Sequence, residues 1–156
     1  MAYQRSIVKV IKDRIEEPRH FIQIIIGPRQ TGKTTAVNQA IEQGDVKYVY
    51  AEATKDDSTQ DWIRAQWYQA RNLFASVQRS VLLVIDEVQF VHGWSSVIKT
   101  LWDEDTRNAV NVKVILTGSS ATLIQDGLSE SLMGRFELIY SLHWSYSECA
   151  DAFGYD

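Results

Sequence analysis

The chain has 156 residues, of which 45% are hydrophobic and 23% are charged, a composition typical of one globular domain with a buried core. Its net charge of −4 disfavours a large nucleic-acid-binding surface, and its single cysteine excludes an internal disulfide framework and a cysteine-based zinc cage. The sequence contains neither a membrane-spanning apolar run nor a signal-peptide pattern, so we expect one cytoplasmic domain over residues 1–156 that contacts no membrane.

Helix-like and strand-like apolar patterns alternate along the chain. An N-terminal helix is predicted within residues 1–18, because Ile7, Val8, Ile11 and Ile15 recur at helical spacing before Pro18. Short apolar runs predict five strands, at residues 21–26, 48–50, 81–85, 112–116 and 136–142. Helices are predicted between them at residues 34–43, 58–77 and 94–105, and a last short helix at Ser145. Such alternation is typical of a parallel sheet covered by helices.

The segment between the first strand and the next helix matches the phosphate-binding pattern G-x-x-x-x-G-K-[ST] in full. Its residues are Gly27, Pro28, Arg29, Gln30, Thr31, Gly32, Lys33 and Thr34. The glycines permit close backbone approach, so that successive N–H groups and the helix N-terminus line an anion site. Lys33 is expected to reach the β- and γ-phosphates, and the Thr34 hydroxyl suits Mg²⁺. Thr35 either adds a hydroxyl at the α-phosphate or is an ordinary first-turn residue.

The third strand ends in two carboxylates, Asp86 and Glu87. A carboxylate at the tip of a buried strand beside the phosphate loop is placed to hold the Mg²⁺ shell through water, which is the role predicted for Asp86. Glu87 is then a candidate general base that orients the attacking water.

Further residues complete a candidate hydrolysis apparatus. Thr117 and Ser119 follow the fourth strand, where either hydroxyl can sense the γ-phosphate or hold the attacking water. Arg135 precedes the fifth strand and is either an arginine finger that stabilises transition-state charge or a member of a surface salt bridge. Arg29 points either to solvent or to a neighbouring subunit or domain. The three histidines lack metal-ligand spacing, so a histidine-based zinc site is not expected.

The order of these motifs resembles the AAA-type predicted ATPases of bacteria and archaea. The likeness runs from Phe21 to Glu148 and rests on several pieces together. They are the Gly-Pro-Arg-x-x-Gly-Lys-Thr-Thr loop, the strand ending Asp-Glu-Val-Gln, His92-Gly93-Trp94, the segments 115–120 and 134–137, and the segment 142–148.

This resemblance implies a three-layer AAA+ core with sheet order 5-1-4-3-2. It also implies that Lys33 and Thr34 contact ATP or ADP, that Asp86 serves Mg²⁺, and that Glu87 is the catalytic carboxylate. Thr117 or Ser119 would be the sensor, and Arg135 a possible finger. The sequence departs from the family where Leu142-His143-Trp144 replaces a strand end rich in leucine and proline. Family members usually continue into a winged-helix-like part and a nuclease-like part, so the chain is expected to be an N-terminal piece.

Two functions remain open at this stage. The first is an ATPase whose hydrolysis drives or switches an attached C-terminal domain or a partner, with assembly into a homo-oligomer possible. The second is a nucleotide-dependent binding module with negligible turnover. A small-molecule kinase is disfavoured, because Glu87 is placed to activate water and no arginine-rich lid is visible. Nucleic-acid remodelling is supported by analogy of fold alone.

Overall fold

The computed structural model describes residues 2–27, 33–56, 58–119, 132 and 134–140, and for residues 2–6 and 33 it describes the backbone alone. The predicted contacts of residues 28–32, the strand end at residues 141–142 and the helix at Ser145 therefore lie outside the described residues.

Helices and strands alternate as the apolar pattern predicts. In chain order they are α1 (Ala2–Glu16), β1 (Ile22–Ile26), α2 (Lys33–Gln43), β2 (Lys47–Glu52), α3 (Gln60–Val77), β3 (Val81–Asp86), a short 3-10 helix (Val88–Phe90), α4 (Trp94–Arg107), β4 (Val112–Gly118) and β5 (Phe136–Tyr140). Several elements are longer than predicted, and the added residues are mostly polar. Neighbouring strands pair with these polar ends, which periodicity alone does not reveal.

The five strands form one parallel sheet in the order β2-β3-β4-β1-β5. This order is the one implied by the family resemblance, 5-1-4-3-2, so that expectation is confirmed. The three described connections, from β1 to β2, from β2 to β3 and from β3 to β4, each contain a helix, because parallel neighbours cannot be joined by a tight hairpin. The central strands β1 and β3 are buried along their whole length, whereas the edge strands β2 and β5 are partly exposed.

Helices cover both faces of the sheet and divide the core in two. Alternate residues of the strands point to opposite faces. On one face Ile22, Ile24 and Ile26 pack in a cluster with α3 and α4. On the other face Ile25 packs with α1 and α2. The result is a three-layer α/β/α sandwich, and among the described helices none is both long and apolar enough to cross a bilayer.

A buried carboxylate links α3 to α4. Asp105 is 1% exposed and accepts hydrogen bonds from Trp67 Nε1 and from Arg71 Nε, each at 2.7 Å. Burial raises the pKa of Asp105, although both hydrogen bonds oppose that rise. These contacts tie the helical layer that backs β3 and β4, the two strands that carry the acidic and hydroxyl residues of the candidate site.

Candidate nucleotide site

The carboxyl ends of β1, β3 and β4 meet at one edge of the sheet, because the three strands are parallel neighbours. Gly27, the first residue of the phosphate-loop motif, donates its N–H to the carbonyl of Gly118 at 3.0 Å. The motif therefore begins directly beside the end of β4. Crevices at the carboxyl edge of such sheets are where open α/β folds bind their ligands.

Asp86 lies at the tip of β3 and is 2% exposed. Its Oδ1 accepts a hydrogen bond from the hydroxyl of Thr117, and its Oδ2 accepts one from the hydroxyl of Tyr50 at 2.8 Å. Thr34 Oγ1 lies 3.3 Å from the same Oδ2. Hydroxyl groups from three different elements thus converge on one carboxylate, which fixes its orientation.

The proximity of Thr34 to Asp86 joins the two residues predicted to serve Mg²⁺. The contact places the first turn of α2 against the end of β3, so both oxygens face the start of the helix that follows the phosphate loop. Hydroxyl and carboxylate oxygens are hard ligands, and Mg²⁺ typically takes one or two protein oxygens and completes its shell with water and phosphate. Among the described residues no group of three or more His, Cys, Asp or Glu side chains converges, so the donor set fits Mg²⁺ better than a cation that needs a full protein cage.

Tyr50 is a site residue that sequence reasoning missed. Tyr50 lies on β2 and pairs with Val84 of β3, which is two residues before Asp86. Burial raises the pKa of its phenol, and the hydrogen bond to Asp86 raises it further. The phenol therefore stays protonated and donates to the carboxylate. Tyr50 lies beside Asp86 because of the register between β2 and β3, and no local sequence motif predicts that register.

The backbone turns sharply at Glu87. Continued as a strand, the chain would direct Glu87 to the sheet face opposite Asp86, since side chains alternate. Glu87 instead adopts the left-handed conformation, with φ 59° and ψ 47°, and the 3-10 helix starts at the next residue. Such a conformation costs a non-glycine residue about 1–3 kcal/mol and clusters at active sites and switch regions, although Gln78 at the end of α3 and Ala109 after α4 have positive φ as well. The turn brings the second carboxylate to the same cavity as the first.

Thr117 holds the two acidic residues in register. Its side chain is fully buried, and its hydroxyl donates to Asp86 while it accepts the backbone N–H of Glu87 at 3.0 Å. Ser119, two residues further on, accepts a hydrogen bond from Gln89 Nε2 at 3.1 Å. The structure thus brings both candidate sensor hydroxyls to the acidic pair, one directly and one through Gln89.

A cavity of about 350 Å³ opens beside these groups, which is within the usual size of a small-molecule site. Its lining includes Thr34, Asp86 and Glu87 from the predicted set. It also includes residues that sequence reasoning missed, namely Glu52, Ala53, Thr54, Lys55 and Phe90. The missed residues end β2, follow it directly or lie in the 3-10 helix, and the adjacency of β2 to β3 brings the first group to the cavity.

Arg135 lies at the opposite edge of the sheet. It precedes β5, whose first residue pairs with Ile22 at the start of β1, so about five residues of strand, roughly 15 Å, separate it from the end of β1. Its guanidinium donates to Asp103 Oδ1 at 2.8 Å and Oδ2 at 3.1 Å, and this hydrogen bonding raises the pKa of Arg135. The structure therefore does not bring Arg135 to the acidic pair of its own chain.

The other predicted contacts have mixed outcomes. Thr35 is exposed in the first turn of α2. The backbone of Lys33 begins that helix, whereas its side chain lies outside the described set. The remaining loop residues are outside it altogether, namely Pro28, Arg29, Gln30, Thr31 and Gly32.

The sheet order, the helices on both faces and the acidic pair at the carboxyl edge define the P-loop nucleotide-binding class of α/β proteins. A protein-family model described as an AAA domain matches residues 19–150, and the chain belongs to that family. Domains of this family are, as a class, nucleotide-binding ATPases.

Two relatives share part of this sequence. An uncharacterized protein of Haemophilus influenzae is 29% identical over 139 residues, which are 82% of this chain and 32% of that protein. The uncharacterized protein MJ1637 of Methanocaldococcus jannaschii is 28% identical over 121 residues, which are 72% of this chain and 24% of that protein. The chain thus spans about a third and a quarter of the length of these two relatives.

Proposed function

We propose that this chain binds ATP with Mg²⁺ at the carboxyl edge of the sheet and hydrolyses the bond between the β- and γ-phosphates. The observation that carries the proposal is the convergence of Thr34, Tyr50 and Thr117 on Asp86, with Glu87 beside it at the same cavity. Because ATP and Mg²⁺ are abundant in the cytoplasm, we propose that compartment for the activity.

In this proposal the backbone N–H groups of residues 27–34 and the amine of Lys33 bind the phosphates. Thr34 and Asp86 would hold Mg²⁺, which would supply positive charge that compensates the charge of the phosphates. Glu87 accepts a proton from a water molecule, and the oxygen of that water attacks the γ-phosphorus in line with the leaving oxygen. The bond from phosphorus to the bridging oxygen breaks, which leaves ADP and inorganic phosphate. Ser119 contacts the γ-phosphate end in this proposal.

The position of Arg135 favours a second feature of the function. An arginine at the amino edge of its own sheet lies away from the nucleotide proposed for its own chain, so a catalytic role for it requires the nucleotide of a neighbouring copy. We therefore propose that Arg135 acts in trans, and that hydrolysis drives or switches an attached domain or partner. A chain without such a neighbour would bind nucleotide and turn it over negligibly, which is the alternative function.

The test is phosphate release from ATP and GTP with Mg²⁺ over a range of protein concentrations. We expect the rate per molecule to rise with concentration, because an arginine finger contributes about 10³–10⁵ in rate. Arg135→Ala and Glu87→Gln are each expected to be nearly inactive, whereas their mixture should recover activity at interfaces where intact Glu87 meets intact Arg135. Arg107→Ala, an exposed arginine at the end of α4, serves as the matched control.

The outcomes separate the two functions. Rescue in the mixture together with a concentration-dependent rate supports the ATPase with a finger in trans. Tight nucleotide binding with no release at any concentration supports the switch. If Arg135→Ala is as active as Arg107→Ala, Arg135 is not an arginine finger, and its role is limited to the ion pair with Asp103.

A further inference from the structure

Gln89 links the candidate catalytic carboxylate to the candidate sensor hydroxyl. It lies in the 3-10 helix, two residues after Glu87. Its Nε2 donates to Glu87 Oε2 at 2.6 Å and to Ser119 Oγ at 3.1 Å. One carboxamide nitrogen with two hydrogens therefore contacts the end of β3 and the end of β4 at once.

The orientation of this carboxamide follows from charge. The opposite orientation would place the amide oxygen against the Glu87 carboxylate, two acceptors with no hydrogen between them. The nitrogen must therefore face Glu87, and a hydrogen bond from an amide to an ionised carboxylate is stronger than one between neutral groups. As a consequence Oε1 is buried and has no hydrogen-bond partner among the described residues.

An unpartnered buried amide oxygen is uncommon and unfavourable. The left-handed backbone at Glu87 adds to this local cost. The segment from Glu87 to Gln89 thus combines a strained turn with an unsatisfied acceptor, held together by the contacts of the Gln89 nitrogen. Such a segment is suited to change its hydrogen bonds when a ligand offers new ones at Ser119.

We propose that Gln89 is a positioning residue that holds the Glu87 carboxylate and couples it, through Ser119, to the γ-phosphate end of the nucleotide. The proposal rests on the ATPase function proposed above. A γ-phosphate that accepts the hydrogen of the Ser119 hydroxyl is joined to Glu87 through one chain of hydrogen bonds, because the same Ser119 oxygen accepts a hydrogen bond from Gln89 Nε2. The contact of Gln89 with Glu87 then changes with the state of the nucleotide. The orientation of the Glu87 carboxylate relative to the attacking water changes with that contact.

The first test compares turnover and binding in Gln89→Met, which keeps the length of the side chain and removes its donors. We expect kcat to fall about 30-fold, since misplacement of a reacting group by about 1 Å costs up to 100-fold. The Kd for MgATP should stay within about twofold, because in this proposal Gln89 contacts Glu87 and Ser119 while residues 27–34 bind the phosphates. Gln69→Met, at an exposed glutamine of α3, is the matched control and should keep the wild-type kcat.

A double-mutant cycle tests the coupling to Ser119. If the two residues act through one hydrogen bond, Ser119→Ala with Gln89→Met lowers kcat no further than about the larger single effect. Single effects that multiply in the double variant would overturn the coupling. Should Gln89→Met fail to fold, Gln89→Glu keeps the shape, sets a second carboxylate against Glu87 and is expected to lower kcat further.

A measurement independent of turnover separates this proposal from the ATPase proposal. In ¹⁵N-labelled protein the side-chain NH₂ signals of Gln89, identified by their loss in Gln89→Met, should move in Glu87→Gln and in Ser119→Ala. They should also move more with a non-hydrolysable ATP analogue and Mg²⁺ than with ADP. Unmoved signals would overturn the role of Gln89 even in an active enzyme. Signals that move in a protein without hydrolysis would leave the contact standing and defeat the ATPase proposal instead.

Discussion

Replacement of Glu87 by glutamine is expected to abolish turnover and to leave nucleotide binding intact. Glutamine keeps the shape of the side chain and loses the base, and a positioned general base contributes about 10²–10⁴ in rate. We therefore expect kcat to fall by at least about a hundredfold, measured as phosphate release at saturating MgATP. The left-handed turn at Glu87 is retained, because it belongs to the backbone.

The control for this variant is Glu42→Gln, at an exposed glutamate of α2, which should keep the wild-type rate. The Kd for MgATP should change less than about threefold in Glu87→Gln. Loss of binding together with turnover would contradict the role of Glu87 as base, because it would mean that the carboxylate builds the site rather than acts in it.

Replacement of Asp86 by asparagine is expected to remove the Mg²⁺ dependence of nucleotide binding. The change deletes the carboxylate charge beside Thr34. In the native protein the hydroxyls of Tyr50 and Thr117 each donate to one oxygen of the Asp86 carboxylate. In the asparagine variant one of these two oxygens is replaced by an amide NH₂ group, which cannot accept a hydrogen bond. The ratio of ATP affinities with and without Mg²⁺ should fall by about tenfold or more, which corresponds to about 1.4 kcal/mol. Fluorescence titration with a labelled ATP, in Mg²⁺ and in EDTA, measures it.

Tyr50→Phe is the graded comparison. Phenylalanine keeps the ring in place and removes one hydrogen bond to the carboxylate, while the charge of Asp86 remains. We expect a smaller loss of Mg²⁺ dependence, roughly threefold to tenfold, which corresponds to the typical net contribution of one hydrogen bond. An Asp86→Asn variant with the wild-type ratio would show that the cation is held by other groups.

The strands that carry the site were predictable because a strand buried on both faces has a continuous run of apolar residues. The run Val81–Ile85 is apolar throughout, and every residue of β3 is buried in the structure. The same reasoning stops one residue early, because Asp86 joins the strand through pairing with β2 and not through apolar character. The order of the strands came from the family resemblance, since periodicity carries no record of which strands are neighbours.

The site residues also fall into those that a local motif predicts and those that only the three-dimensional arrangement brings to the site. Asp86 and Glu87 were predictable from a local motif. Tyr50 and Gln89 depend on strand register and on the turn at Glu87, and both escape a reading of local spacing. Arg135 shows what topology adds, because a residue that precedes a parallel strand lies at the amino edge, away from the phosphate loop.

The most direct test of the central claim is binding of MgATP to the wild-type chain and to Lys33→Ala, by calorimetry at equal protein concentration. We expect saturable binding with one nucleotide per chain, weakened about a hundredfold or more in Lys33→Ala, whose lost amine faces the β- and γ-phosphates in the proposed site. Equal affinity in the two proteins, or no binding to either, would contradict an ATP site at the carboxyl edge of this sheet.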